Sequence, residues 1–131
     1  MDEFLEDRIY EAAQICGFTP CFDEDYIIFR AHSLLGEDIS IDIYYDEPPF
    51  NGDYDRINDD AYVFKVIVRE TESYFKCFNE EDHAVWNWKY KIKSGVPTDL
   101  QSLLDDAKAI KGMYKNLYEN LRDLHKELEE E

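Results

Sequence analysis

The first sixty residues contain no lysine. Three arginines stand there against 17 acids, and the whole chain of 131 residues carries a formal charge of −17. Direct binding of DNA or RNA depends on neutralising phosphates with Lys and Arg, so this deficit argues against it, and it argues equally against anionic membrane surfaces. Cysteine is scarce too. Cys16, Cys21 and Cys77 form no CxxC pair, which leaves neither a disulfide framework nor a zinc ribbon. The three can be joined with His83 into a four-ligand set only on paper, because structural zinc sites bring closely spaced ligand pairs. No apolar run approaches the roughly 18 residues of a membrane span. The opening "MDEFLEDRIYEAAQ" has neither a basic start nor an apolar core, so no signal peptide is expected and the protein should be cytoplasmic.

Enzymatic signatures are missing as well. There is no GxSxG, the five glycines are scattered rather than gathered into a phosphate loop, and no strand carries an acid-x-Lys beside another acid. His32, His83 and His125 lie near no nucleophile motif. His83, opening a strand beside Asp82, offers a base, although a turn histidine is more often simply exposed, and His125 reads as solvated on a charged helix. The expectation is a non-enzymatic protein without cofactor or resident metal.

What is present is aromatic and acidic. Ten Tyr, eight Phe and two Trp set the chain apart from disordered acidic proteins and indicate one globular domain over 1–131. The charge is segregated: residues 1–60 hold 17 acids and three bases, residues 61–118 eight acids and nine bases, and the tail from Glu119 six acids and two bases. Within "DEPPFNGDYDRINDDAY" (46–62) six carboxylates accompany one Arg. An EF-hand register starting at Asp53 puts Ile57 and Asn58 where an oxygen ligand and Gly belong. One starting at Asn51 puts Arg56 in place of the Gly and Tyr62 in place of the Glu. Both fail, and a non-standard cation site on the 46–60 loop stays open.

Periodicity predicts an α+β fold: an N-terminal helix, an antiparallel sheet of four or five strands, and a long C-terminal helix with a heptad seam. Leu5, Ile9, Ala12 and Cys16 mark a helix over 2–16, with Gly17 at its end. Strands are expected at 26–31 and 38–45, the latter with Ile39, Ile41, Ile43 and Tyr45 inward. Further strands are expected at 61–70, 73–78 and 83–93, the last with Trp86, Trp88, Tyr90 and Ile92 on one face and Lys89, Lys91 and Lys93 on the other. Thr98 and Gln101 form a capping box for a helix over about 98–129. Its seam narrows beyond Leu117, and packing against the first helix competes there with dimerisation. The richness of Leu117, Leu121, Leu124 and Leu128 favours a projecting helix and an antiparallel homodimer, since a parallel one would bring Glu127, Glu129, Glu130 and Glu131 together.

The candidate partner-binding residues are Asp38, Asp42, Asp46, Glu47, Asp53, Tyr54, Asp55, Asp59 and Asp60. Outward strand carboxylates two residues apart sit roughly 6.6 Å apart, similar to neighbouring backbone phosphates. Interleaved Tyr is a favoured interface anchor. Such a surface suits a basic protein partner, such as a nuclease or nucleoprotein whose nucleic-acid channel it fills. In size, charge and α+β make-up, though in no quotable motif, the chain resembles phage-encoded inhibitors such as anti-CRISPR and other nucleic-acid-mimic proteins. Its opening helix, Gly17 break and closing helix also resemble acidic dimeric secretion chaperones. A toxin-neutralising immunity protein would use the same acid to cover a basic active site.

Overall fold

A computed structural model describes residues 1–130; Glu131 lies outside the described residues. The order of elements is α1 (Glu3–Gln14), β1 (Thr19–Phe22), β2 (Tyr26–His32), β3 (Asp38–Tyr44), α2 (Tyr54–Ile57), α3 (Asp60–Cys77), α4 (Glu80–Lys93) and α5 (Leu100–Glu130). The fold is α+β, with the expected first and last helices. Its sheet has three antiparallel strands in the order β1-β2-β3 rather than four or five.

Helix α1 closes as its glycine suggests. Phe18 N–H reaches back to Ala13 O and Gly17 N–H to Gln14 O, with Gly17 at φ +86°. This is a Schellman turn, in which a Cβ at Gly17 would be strained and Phe18 drops into the core. The short strand β1 escapes sequence inspection because Pro20 cannot donate to a ladder. At the sheet edge it needs no second partner, and Pro20 lies opposite Phe29. Strand β3 alternates as expected: Ile39, Ile41 and Ile43 are buried, as is Tyr45 just beyond, while Asp38 and Tyr44 face solvent and Ser40 and Asp42 are half-buried.

The expected strands at 61–70, 73–78 and 83–93 are helical. The β-branched run "YVFKVIV" has the propensity of a strand, yet Val63, Phe64, Val66, Ile67 and Thr71 recur at helical spacing and are all buried. Asp59 caps that helix, accepting from Tyr62 N–H. Packing and capping together outweigh a β preference that spans only about 1 kcal/mol per residue. Likewise the break between the expected strands at 73–78 and 83–93 is a helix start: Asn79 accepts from Asp82 N–H and three acids fill the first turn. The α5 cap also shifts by one residue, from Thr98 to Asp99, whose carboxylate takes the N–H groups of Gln101 and Ser102.

These corrections bear on the leucine seam. Helix α5, about 46 Å long at 1.5 Å per residue, runs antiparallel to both α1 and α3. Its C-terminal half lies between them, as Arg8–Glu127 on one side and the Phe64–His125 and Phe75–Tyr118 ring pairs on the other record. Leu117, Leu121 and Leu124 are buried, and Leu128 packs on the same core. The seam expected to serve dimerisation is therefore taken up within the chain. The partner for this seam is α3, a segment whose β-branched run predicts a strand. The N-terminal half of α5 packs against α4 around a second, smaller cluster of Ala84, Leu103 and Ala107. Among the described residues, no helix is long and apolar enough to cross a membrane.

Candidate functional site

Three helix starts and one helix end meet at one pole. Asp2 N–H donates to Asp60 Oδ2 at 3.0 Å, joining the starts of α1 and α3. Tyr45 N–H donates to Asp25 O at 3.0 Å, bringing in the β1–β2 turn with Asp23, Glu24 and Asp25. Arg8 and Glu127 pair at 3.2 Å and add the end of α5. The partial positive charge at helix N-termini stabilises carboxylates there by about 0.3–1 kcal/mol each, so the pole tolerates acid that elsewhere would only repel.

Many of the anticipated binding residues have structural work at this pole. Asp53 caps α2 by accepting from Asp55 and Arg56 N–H, and Asp59 caps α3. Asp60 is half-buried against Asp2. Asp46, Glu47 and Asp55 are exposed and cap nothing, and Tyr54 is 78 % exposed. Arg56, though exposed, is tied to its own loop, 2.8 Å from Pro49 O, 3.5 Å from Asp53 and over the Tyr62 ring. The loop's one cation is thus engaged locally. Among the described residues, no group of three or more His, Cys, Asp or Glu gathers to hold a metal ion.

Asp38 and Asp42 stand apart from this group. Asp38 begins β3 at its opposite end, roughly 20 Å away along the strand, and is exposed with His32 Nδ1 at 2.8 Å. Asp42 is half-buried, and its Oδ1 has no hydrogen-bond partner among the described residues. The nine anticipated residues therefore divide, with seven at the pole and two along β3, one exposed and one half-buried.

Between the start of α3, the end of α5 and Leu5 lies a groove of about 540 Å³. Leu5, Tyr62, Phe64 and Leu128 supply its apolar surface, and Asp59, Asp60 and Glu129 its acid. His125 stacks edge-on against Phe64 at 5.0 Å and lies 3.5 Å from Glu129, and Lys65 is the one Lys on the lining. Beneath the pole, burial pushes the Tyr45 hydroxyl up to about 12, with Glu6 and Asp60 adding to the effect. This groove was not legible beforehand, because it needs α3 to be helical and antiparallel to α5.

The opposite end of the molecule escaped the sequence reading. Glu37, in the β2–β3 loop, accepts from His83 at 2.8 Å and from Asn87 Nδ2 at 3.0 Å, while Asp106 accepts from Leu35 N–H at 3.1 Å. These contacts pin a loop whose Leu34 is 84 % exposed. On α4, Trp86 and Tyr90 stack at 5.8 Å. A spacing of three from His83 to Trp86 and four from Trp86 to Tyr90 was the available signal, hidden by the equally good alternation of Trp86, Trp88, Tyr90 and Ile92.

No protein-family model, curated protein or solved structure matches the chain.

Proposed function

We propose that this is a non-enzymatic interaction protein of the cytoplasm whose acidic pole binds and blocks a basic protein surface, in the first instance the nucleic-acid channel of a nuclease or nucleoprotein. The observation that carries the reading is the groove of the pole, where an apolar floor adjoins carboxylates. Lys and Arg have long apolar stems and charged heads, so a basic side chain fits both parts at once. The exposed acids around it (Asp46, Glu47 and Asp55) widen the field that attracts such a surface from a distance. Tyr54 offers an aromatic anchor beside them. A toxin-neutralising or secretion-chaperone role would use the same pole, and the identity of the partner separates the three.

The decisive experiment reverses acids that cap no helix. The quadruple variant Asp46→Lys, Glu47→Lys, Asp55→Lys and Glu129→Lys should keep its helical circular dichroism and lose binding to a partner recovered from host lysate and identified by mass spectrometry. Wild-type association should be fast at low salt and slow as salt screens it. Competition with nucleic acid for that partner supports the channel reading. Undiminished binding by the quadruple variant would remove the pole from the function.

A further inference from the structure

Helix α4 packs chiefly on α5, with His83 and Asn87 also tied to Glu37 of the β2–β3 loop. Ala84 and Trp88 turn toward α5, and the helical repeat then places Asp82, Trp86, Lys89 and Lys93 on the opposite face, with Tyr90 beside Trp86. Trp86 is 62 % and Tyr90 61 % exposed, so two large aromatic side chains face outward in the middle of this face. A shallow groove of about 410 Å³ runs along it, lined by Glu81, Asp82, Val85, Trp86 and Lys89.

The charges on the face are ordered. Asp82 stands at its N-terminal end and Lys89 and Lys93 toward its C-terminal end, following the helix as a whole, whose first turn is acidic and last turn basic as suits the helix dipole. Asp82, Lys89 and Lys93 nevertheless find no ion-pair partner among the described residues, whereas Glu80 has Lys111 at 3.9 Å. Lys89 and Lys93, four residues apart, repel one another. A partner of a single charge sign could satisfy only one end of such a face. A second α4 laid antiparallel satisfies both: Asp82 of each copy meets Lys93 of the other, and each Trp86 meets the opposite Tyr90.

The geometry points to a second copy of this chain as the occupant, paired α4 to α4 about a two-fold axis that passes between Trp86 and Tyr90. Two-fold contacts are self-complementary, so every favourable pairing is made twice. A parallel arrangement would set Asp82 on Asp82 and Lys93 on Lys93. Because α4 packs on the N-terminal half of α5 and the acidic pole surrounds its C-terminus, this dimer also holds the two acidic poles at opposite ends.

Sedimentation and light scattering of the full chain, from low micromolar to near-millimolar concentration, test this directly. A concentration-dependent dimer is expected, weakened at least ~10-fold by Trp86→Ala, the kind of loss typical of a central aromatic anchor. Asp82→Lys alone and Lys93→Asp alone should each weaken it, and the two together should restore it, since every pair is then re-formed with its signs exchanged. All three positions are surface residues, and an unchanged far-ultraviolet spectrum checks the fold. A monomer at every concentration, a dimer indifferent to Trp86→Ala, or a double variant no better than the singles would each overturn the proposal.

Discussion

The acidic pole and the α4 end treat their side chains in opposite ways. At the pole, carboxylates overlie the main core: Asp60 and Glu6 act on the buried Tyr45, and Tyr45, Phe50 and Tyr62 stack edge-to-face beneath the acidic loop. At the α4 end the inner cluster is only Ala84, Leu103 and Ala107, and two large aromatic residues face outward. Where the core is thick, local charge is absorbed as helix caps and the surface can be strongly acidic. Where the core is thin, apolar area remains in the open and must be covered from outside or stay wet.

The largest expected effect sharpens this difference in the cores. Leu121→Ala, in the main core, should cost about 2–5 kcal/mol and lower the urea midpoint of the whole chain. Leu103→Ala should instead release mainly α4, so hydrogen exchange would show α4 amides losing protection while those of α3 keep theirs. Equal loss of protection in both helices would mean the two ends form one cooperative unit and the contrast fails.

Alkaline titration gives the next effect. Tyr45 and Tyr114 are both raised to about 12, each chiefly by burial. An unfolded Tyr titrates near 10, so above that the unfolded chain has released protons that the folded chain still holds. Stability is then full below about pH 10 and falls toward pH 12, on the order of 2 kcal/mol for each Tyr. Tyr45→Phe should flatten part of this fall when urea midpoints are compared across the range.

A third test concerns the caps. Asp59→Ala should cost about 1 kcal/mol in urea denaturation because it frees an N–H at the start of α3, whereas Asp55→Ala should be nearly neutral. The two acids are four residues apart in the same loop, and equal costs would show that capping is not what distinguishes them. The smallest effect is expected at the far end. His83→Ala should lower stability by no more than about 1 kcal/mol and loosen the β2–β3 loop, read as faster amide exchange at Leu35 and Glu37.

Part of this organisation was legible in the residues themselves. The alternation of Ile39, Ile41 and Ile43 marks β3 because one side of the sheet is buried, and Gly17 marks the end of α1 because only a left-handed residue closes that turn cheaply. The run from Val63 to Val68 was not legible in the same way. Its residues suit a strand or a buried helix equally well, and Asp59, lost among five other carboxylates, was the signal that separated them.

Sequence alone determined the segregation of charge, the α+β class and the two terminal helices, because composition, helical spacing and strand alternation are local properties. Tertiary structure alone decided what the acids and leucines are for. Whether Asp59 is a cap or a free charge, and whether Leu121 lines a dimer seam or a core, depends on which element packs beside α5. That element is α3, whose helical state is stabilised by contacts more than forty residues away in the chain.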